Sequence, residues 1–374
     1  MVPEPRVLLV VNAWVGREPA SGPRKDYALI GRELRASILD HAAVQQSRPG
    51  RLIARVAGRH IAQAWLAFRA RRGFDVILTD GEQSGLPLAL LLKLAGCRMG
   101  HVMIGHRISA GKKRPLFRWL RVHTHIDRIV LHARRQLELA TTDLRIPAAQ
   151  LSLVPYQVDP EFWRERSDTE ERLVCSAGLE LRDYPTLIQA VDGLDVEVVI
   201  AAASRWSKRA NSADGAVLPA NVSVQQFDYE GLRDLYARSS VVVVPLAETD
   251  FQAGVTTILE AMSMGKPVVV THTWGQTDVV EDRRCATRGR SPRQRPPSLL
   301  RSFAEAAGVH LEQTGLYVMP GDPDALRRAI GYLLDHPAER RRLGAAGRRT
   351  VERLTTVDQF AERMRRIVAE VARA

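Results

Sequence analysis

The sequence has 374 residues, 45% hydrophobic and 26% charged, which is ordinary for a folded protein of two domains. Three scattered cysteines argue against a disulfide framework and a zinc cluster, and they indicate a reducing, cytoplasmic compartment. No apolar stretch approaches the roughly 20 residues of a membrane-spanning helix, and the N-terminal stretch lacks a signal-peptide layout.

The chain is strongly basic, with a formal net charge of +12 and 54 basic residues, of which 6 are lysines and 48 are arginines. This balance favours phosphates, acidic lipid headgroups or nucleic acid as partners. The alternative explanation is a genome with a compositional bias toward arginine at solvent-exposed positions, which would give the same counts. Basic and aromatic residues do not alternate as in a stacking platform, so we expect no nucleic-acid partner.

The first half of the chain alternates short apolar runs with helical patterns, which is typical of a parallel α/β sheet. The runs predicted as strands are Arg6–Val11, Asp75–Thr79, Gly100–His106, Arg128–Leu131 and Leu151–Pro155. The helical patterns are 26–34, 51–72, 86–94 and 134–144.

The segment 111–121, GKKRPLFRWLR, interleaves basic and apolar side chains. This pattern suits a segment that lies on anionic lipid. It equally suits a helix that packs on the core and keeps a basic outer face. Both interpretations stay open.

The second half repeats the α/β alternation after a polar run, Arg164–Arg172, that reads as a linker. We therefore place a boundary near residue 168, with a first domain over 1–168 and a second over 169–356. The predicted strands are 173–177, 196–201, 221–227, 241–246 and 268–271. Helices are expected at 232–239, between Thr256 or Thr257 and Gly265, from Pro323 with Asp322 as its cap, and over the terminal 357–374.

An arginine-rich insertion is expected at about 281–312. Between Arg283 and Arg301 it holds seven arginines and three prolines but no acidic residue. Such a composition predicts a mobile basic loop. Its partner would be an anionic acceptor, a membrane, or solvent alone.

The stretch Ser240–Thr273 predicts a strand, a loop, a helix and a second strand. Its loop lies at the carboxyl end of a strand, where open α/β sheets bind ligands. Gly254 lets the backbone approach a ligand, and the N–H groups of Val255 and Thr256 would then form an anion-binding helix terminus. Glu260, expected near the first helical turn, could accept hydrogen bonds from a diol. The alternative is a solvated carboxylate favoured by the helix dipole.

The same stretch resembles the donor-sugar motif of retaining GT-B glycosyltransferases of the family four type. That motif has two glutamates separated by seven residues, followed by Ala-Met and Gly-x-Pro-Val-Val. Glu260 matches the second glutamate, and residues 261–262, 265 and 267–269 follow in place, whereas Gln252 stands at the first. The resemblance covers nearly the whole chain. It implies two Rossmann-like domains facing across a cleft, with the last helix crossing back onto the first domain.

The resemblance also implies roles for particular residues. His106 would reach the donor sugar; alternatively it only ends a strand. Gly178 is present where the family carries Gly-Arg, and Arg182 is the cation of that loop, so it would stabilise the leaving diphosphate. The alternative for Arg182 is a surface arginine paired with Asp183. The remaining assignments are Lys208 as a second cation, Tyr229 at the nucleotide base, and Gln252 in the catalytic place of the glutamate.

The function expected from the resemblance is retaining transfer of a hexose from a nucleoside diphosphate sugar to a glycan, lipid or small-molecule acceptor. No metal or other cofactor is expected. The protein would be cytoplasmic, with an anionic membrane surface as a further candidate partner. The alternatives are a nucleotide-sugar epimerase or phosphorylase of the same fold, a non-catalytic donor-binding subunit, because Gln252 carries no charge, and a nucleic-acid binder on charge alone.

Overall fold

The computed structural model describes residues 4–16, 21–166, 170–202, 218–282 and 298–373. The chain forms two compact units. Unit 1 comprises residues 1–20, 24–154 and 357–374, and unit 2 comprises residues 21–23 and 155–356. Within the described ranges, no helix is both long and apolar enough to cross a membrane.

Unit 1 contains six strands and eight α-helices in its described residues. The strands are β1 (Val7–Val11), β2 (Ser37–Leu39), β3 (Val76–Asp80), β4 (Gly100–Gly105), β5 (Arg128–Leu131) and β6 (Leu151–Leu153). The helices are α1 (Asp26–Glu33), α2 (His41–Gln46), α3 (Arg48–Ala57), α4 (Arg59–Ala70), α5 (Glu82–Leu94), α6 (Arg114–Arg118), α7 (Arg134–Thr142) and the last helix, α14 (Val357–Arg373). Single 3-10 turns lie at Arg71–Gly73, Gly111–Lys113, Val122–His125 and Ala148–Gln150.

The strands of unit 1 form one parallel sheet in the order β2-β1-β3-β4-β5-β6. Side chains of a strand alternate between the two faces of the sheet. In β1, Leu9 packs with helices α1 and α14, whereas Leu8 and Val10 pack with α4 and α5. Both faces of β1 are therefore covered, which explains why this strand is apolar throughout rather than alternating.

Unit 2 has a second sheet, also six-stranded and parallel. Its strands are β7 (Leu173–Ala177), β8 (Glu197–Ala201), β9 (Val222–Gln225), β10 (Val241–Val244), β11 (Val268–Thr271) and β12 (Gly315–Val318). Its helices are α8 (Tyr184–Val191), α9 (Tyr229–Arg238), α10 (Val255–Ser263), α11 (Leu299–Ala306), α12 (Pro323–Asp335) and α13 (Pro337–Leu354). The strand order is β12-β11-β10-β7-β8-β9. Val242 and Val244 pack with α10, while Val241 and Val243 pack with α12.

The predicted fold class, α/β with two Rossmann-like units, is confirmed by these two sheets. Several helix signals also hold, because Asp322 accepts a hydrogen bond from the Ala325 N–H at 2.8 Å and Pro323 begins α12. Gly265, at φ +70°, ends α10 as expected. Helix α14 packs on α1.

The structure differs from the expected boundaries in two places. The units divide at Val154 and Pro155 rather than near residue 168, because Val158 and Trp163 are buried in the core of unit 2. The expected insertion at 281–312 contains helix α11, whose Leu299 and Leu300 are buried. Of the expected basic loop, residues 283–297 lie outside the described residues.

Close packing of α13 on the end of α10 depends on a glycine. A Cβ atom on Gly344 would overlap the Gly265 carbonyl oxygen and lie 2.7 Å from its carbonyl carbon. We predict that Gly344→Ala lowers the free energy of unfolding by about 3 kcal/mol in urea denaturation, because backbone must move. Gly331, in α12, has no heavy atom within 4 Å of an added Cβ. Gly331→Ala should instead stabilise by roughly 0.5–1 kcal/mol, and equal effects of the two variants would refute the packing argument.

Candidate functional site

The candidate site of unit 2 lies where the order of its strands reverses, between β7 and β10. Open α/β sheets bind ligands at this switch point, beyond the carboxyl ends of the strands. Two loops meet there, one after β7 and one after β10. The Ala247 N–H donates to the Leu181 carbonyl at 2.9 Å, and the Asp183 N–H donates to the Pro245 carbonyl at 3.1 Å. The loops are thus fixed to each other by backbone hydrogen bonds.

Arg182 lies in the first of these loops and is buried, with only 7% of its surface exposed. Its Nε donates to the Ala177 carbonyl at 2.8 Å and its Nη1 to the Glu180 carbonyl at 3.0 Å. Its Nη2 donates to Thr257 Oγ1 at 3.1 Å. Burial lowers the pKa of the guanidinium from its usual value. The alternative of a surface arginine is therefore wrong.

Asp183, the expected partner of such a surface arginine, instead caps a helix. Its carboxylate caps helix α8 by accepting hydrogen bonds from the N–H and the hydroxyl of Thr186. This is the usual arrangement of an aspartate at a helix N-terminus.

Two glycines leave room for the guanidinium of Arg182. Gly178 has a φ of +96° and Gly254 a φ of +76°. A Cβ on Gly178 would lie 2.6 Å from Arg182 Nη2, and one on Gly254 would lie 3.2 Å from Arg182 Nη1. Both the backbone conformation and the space therefore require glycine. The guanidinium thus lies between these two residues, beside the start of α10.

Gly254 is the N-cap residue of α10, so the expected capping by Thr256 or Thr257 is wrong. Val255 and Thr256 are the first two residues of the helix. The first N–H groups of a helix have no partner within it. The start of α10 consequently adds partial positive charge next to Arg182.

Glu260 lies in the second turn of α10 rather than near the first, and it is buried. The hydroxyl of Tyr236, in α9, donates to Glu260 Oε2 at 3.3 Å. Burial raises the pKa of Tyr236 well above its usual value, which keeps this hydroxyl as a donor. The interpretation of Glu260 as a solvated carboxylate is therefore wrong, and Tyr236 is a neighbour that no local sequence signal indicates.

Gln252 is 9% exposed, and neither its amide oxygen nor its amide nitrogen has a hydrogen-bond partner among the described residues. Its side chain lines a cavity of about 10 Å³ together with Tyr156, Leu259, Asp278 and Leu300. This is about the space of one water molecule. The structure thus places Gln252 apart from the hydrogen bonds that surround Arg182.

The backbone around Gln252 is held by the loop after β11. The Gly275 N–H donates to the Thr249 carbonyl at 2.8 Å, and Gln276 Nε2 donates to the Ala253 carbonyl at 2.9 Å. A Cβ on Gly275 would overlap the backbone of Phe251. Sequence reasoning missed both residues, although a glycine that follows a buried strand is a signal for close backbone approach.

The two remaining assignments in unit 2 are at the edge of this site or beyond the described residues. Tyr229 is the first residue of α9, the helix that carries Tyr236, and its ring contacts Phe162 edge to face at 6.3 Å. Lys208 lies outside the described residues.

Unit 1 has its own switch point, between β1 and β3, and polar side chains gather there. His106 directly follows β4, and its Nε2 is 3.9 Å from Asp80 Oδ1. Asn12 Nδ2 donates to the Asp80 carbonyl at 2.7 Å. His132 is buried with Nδ1 3.0 Å from the Val154 carbonyl. Sequence reasoning named His106 but did not identify Asp80 as its neighbour.

Two carboxylates of this cluster differ in their surroundings. Glu82 accepts hydrogen bonds from the N–H groups of His106 and Arg107 and from Lys113 Nζ at 2.5 Å. Burial raises the pKa of Glu82, but the charges of His106 and Lys113 outweigh it and hold the pKa at about 2. Among the described residues, no such donors bond to the Asp80 carboxylate. Burial therefore raises the pKa of Asp80 to about 7, with Asp26 adding to the rise and His106 opposing it.

Among the residues that the structure describes, no group of three or more His, Cys, Asp or Glu side chains could hold a metal ion. The groups at the two switch points are instead cations, carboxylates and helix N–H groups. They can bind anions and hydroxyls and can exchange a proton at Asp80.

The comparisons with known proteins agree with this geometry. Residues 177–336 match the family described as Glycosyl transferases group 1. An MMP alpha-(1->4)-mannosyltransferase of Mycolicibacterium hassiacum is 27% identical over 218 residues, which is 56% of this chain and 45% of that protein. The chain thus spans less than half the length of this curated relative.

Two solved structures show the same fold over the whole chain. A sucrose-phosphate synthase of Thermosynechococcus elongatus has a TM-score of 0.68 at 17% identity and covers 98% of both chains. The Anabaena protein HepE in complex with UDP-glucose has a TM-score of 0.66 at 12% identity, covering 98% of this chain and 100% of that one.

The fold and the switch-point site define a two-unit protein of the GT-B class. Within this fold, the stretch 177–336 is similar to the group 1 glycosyltransferases.

The buried amide of Gln252 yields a stability prediction. An unpaired buried polar group costs about 1–3 kcal/mol, so Gln252→Met should raise the free energy of unfolding by about 1 kcal/mol in urea denaturation. Gln276 is the matched control, because its buried amide donates to Ala253 and Gln276→Met should lower stability. A loss of stability in Gln252→Met would show that a bound water satisfies the amide.

The raised pKa of Asp80 predicts a pH-dependent stability. The pKa is about 3.9 in an unfolded chain and about 7 in the folded protein. Asp80 therefore stabilises most below pH about 4, and this contribution is lost as the pH rises to the folded value. As the pH rises through this range, the free energy of unfolding of Asp80→Asn should increase relative to that of the wild type. The increase should be at most about 1.4 kcal/mol per pH unit.

The check is urea denaturation of Asp80→Asn and the wild type in a series of buffers. Asp75→Asn is the control of opposite sign, because hydrogen bonds from Arg6 lower the pKa of Asp75. A difference between Asp80→Asn and the wild type that does not change with pH would contradict the prediction.

Proposed function

We propose that the protein transfers a hexose from a nucleoside diphosphate sugar to an acceptor, with retention of the anomeric configuration. The observation that carries this proposal is the buried guanidinium of Arg182 between Gly178 and Gly254, beside the N-terminus of α10. A fixed cation and a helix N-terminus at a switch point suit a diphosphate. HepE, of the same fold, was solved in complex with UDP-glucose, which supports a donor of this class.

The charge of the leaving diphosphate grows as its bond to the sugar breaks. Arg182 is held by three hydrogen bonds within the protein, so it would not have to reorganise during the reaction. Preorganised charge of this kind stabilises a transition state more than a mobile side chain does. In this proposal the positive charge comes from Arg182 and the start of α10, and the reaction needs no metal or other cofactor.

Glu260 would accept hydrogen bonds from the hydroxyls of the donor ribose. Its bond from Tyr236 occupies one acceptor position of a carboxylate, and a carboxylate offers about four. Tyr229, in the same helix as Tyr236, is our proposed contact to the nucleotide base. His106 is our proposed contact to the donor sugar. The attack would come from the same face as the departing phosphate, which would take the proton of the acceptor.

Gln252 favours a second candidate, a donor-binding protein without turnover. An amide cannot support a positive anomeric centre by charge, and here it lines an internal cavity. The two candidates separate in one experiment. A panel of nucleotide sugars is screened by thermal shift, and each hit is incubated with and without sugar acceptors while release of the nucleoside diphosphate is measured. Binding with no release under any condition would select the second candidate.

Consumption of the donor without acceptor, or only with inorganic phosphate, would instead indicate an epimerase or a phosphorylase.

We propose a cytoplasmic protein that works at an anionic membrane surface.

The donor assignment of Glu260 predicts a loss of nucleotide affinity. Glu260→Gln should weaken binding of the nucleoside diphosphate by about 1.5–3 kcal/mol, or about ten- to hundred-fold, because a charged acceptor is lost. Titration calorimetry measures this. Tyr236→Phe is the control, since it removes the bond to Glu260 and keeps the carboxylate. Equal affinities of wild type and Glu260→Gln would exclude the contact.

The role of Arg182 predicts a kinetic signature. Arg182→Ala should lower kcat more than it raises the donor KM, because the leaving charge develops in the transition state. Arg238→Ala, at an exposed arginine of the same unit, should leave both constants unchanged. An unchanged kcat with a raised KM would reduce Arg182 to a ground-state contact.

A further inference from the structure

Helix α3 of unit 1 is packed in the reverse of the usual manner. A surface helix normally buries its large apolar side chains and exposes polar ones. Here Gly50 is the buried residue, and a Cβ on it would lie 2.8 Å from the Val44 carbonyl oxygen and 3.3 Å from Leu66 Cδ1. Leu52 and Val56 point outward and are 64% and 83% exposed. The helix therefore packs closely through a small residue, and two of its three large apolar side chains, Leu52 and Val56, face outside.

The exposed side of α3 is also basic. Arg48, Arg51 and Arg55 follow one another at spacings of three and four residues, so they form a row along the helix beside Leu52 and Val56. All three arginines are exposed. Between residues 41 and 74 the sequence holds seven arginines and no aspartate or glutamate. In the part of the chain that the structure describes, none of these three arginines forms an ion pair.

The other basic and apolar segment, residues 111–121, is different. Lys113 is paired with the buried carboxylate of Glu82, and Arg114 with Asp143 at 2.6 Å. Arg118 donates to the Asp143 carbonyl, and Phe117 is buried. Two of the five cations of this segment, Lys113 and Arg114, are thus paired with acids of unit 1. Trp119 remains 80% exposed.

We propose that α3 is a docking surface for an anionic lipid bilayer. An apolar row flanked by arginines matches the boundary between acyl chains and headgroups, where Leu52 and Val56 would enter the apolar region and the arginines would remain at the phosphates. A nucleic acid would use the arginines but not the exposed apolar row. The surface is independent of the donor site and does not rest on glycosyl transfer.

The test is flotation of the full chain, without substrates, with vesicles of phosphatidylglycerol and phosphatidylcholine or of phosphatidylcholine alone. Binding should require phosphatidylglycerol and weaken at high salt. Arg51→Gln with Arg55→Gln should weaken it about five-fold for each arginine. Leu52→Ser with Val56→Ser should weaken it roughly ten-fold. Circular dichroism should stay unchanged, because all four positions are exposed. The thermal midpoint of the arginine variant should fall by a few degrees at most, since this variant removes the bond from Arg51 to the Gln45 carbonyl.

Two matched controls fix the location. Arg328→Gln with Arg341→Gln removes the same charge from exposed positions of unit 2, and it should bind like the wild type. Leu94→Ser with Trp119→Ser removes side chains that are 77% and 80% exposed elsewhere in unit 1, and it should also retain binding. The proposal fails if either control variant loses as much vesicle binding as the α3 variants do. It also fails if the α3 variants bind vesicles like the wild type. A third result would also refute the proposal. If the wild type does not float with vesicles but self-associates in light scattering, and the α3 variants do not self-associate, then α3 binds a second copy of the chain and not a membrane.

Discussion

The switch-point site of unit 2 depends on the burial of one guanidinium. An arginine remains charged in a protein, and a buried charge without partners costs several kcal/mol. Arg182 meets this constraint with the carbonyls of Ala177 and Glu180 and the hydroxyl of Thr257. These bonds join the end of β7, the loop after it and the first turn of α10. They also explain the two glycines, because a side chain at Gly178 or Gly254 would occupy the space of the guanidinium.

Unit 1 uses a buried carboxylate in a similar way. Glu82 gathers two backbone N–H groups and Lys113, and so fixes the turn that carries His106. The Asp80 carbonyl, two residues earlier, accepts a hydrogen bond from Asn12. Among the described residues, the ion-pair partner of the Asp80 carboxylate is the His106 ring at 3.9 Å. The two acids therefore differ in protonation behaviour although they are close in the chain. One holds the loop, and the other is available to exchange a proton near neutral pH.

The exchange of a glutamate for Gln252 is consistent with its surroundings. An isolated carboxylate in such a buried position would pay a far larger desolvation cost than a neutral amide. The amide is tolerated beside a cavity of about 10 Å³, where the loops after β10 and β11 hold the backbone on both sides.

The sequence by itself determined ten of the twelve described strands, the class of fold and the motif stretch, because apolar runs, glycines and caps act within one element. It missed β2 and β12. Leu173–Ala177 and Val268–Thr271 were predicted with the bounds that the structure shows. Only the tertiary structure decided which charges are buried. From the sequence, a surface position stayed an open alternative for Arg182 and Glu260, since their partners Thr257 and Tyr236 come from other elements. The outward turn of Leu52 and Val56 was hidden for the same reason, because the face that a helix buries is chosen by what packs against it.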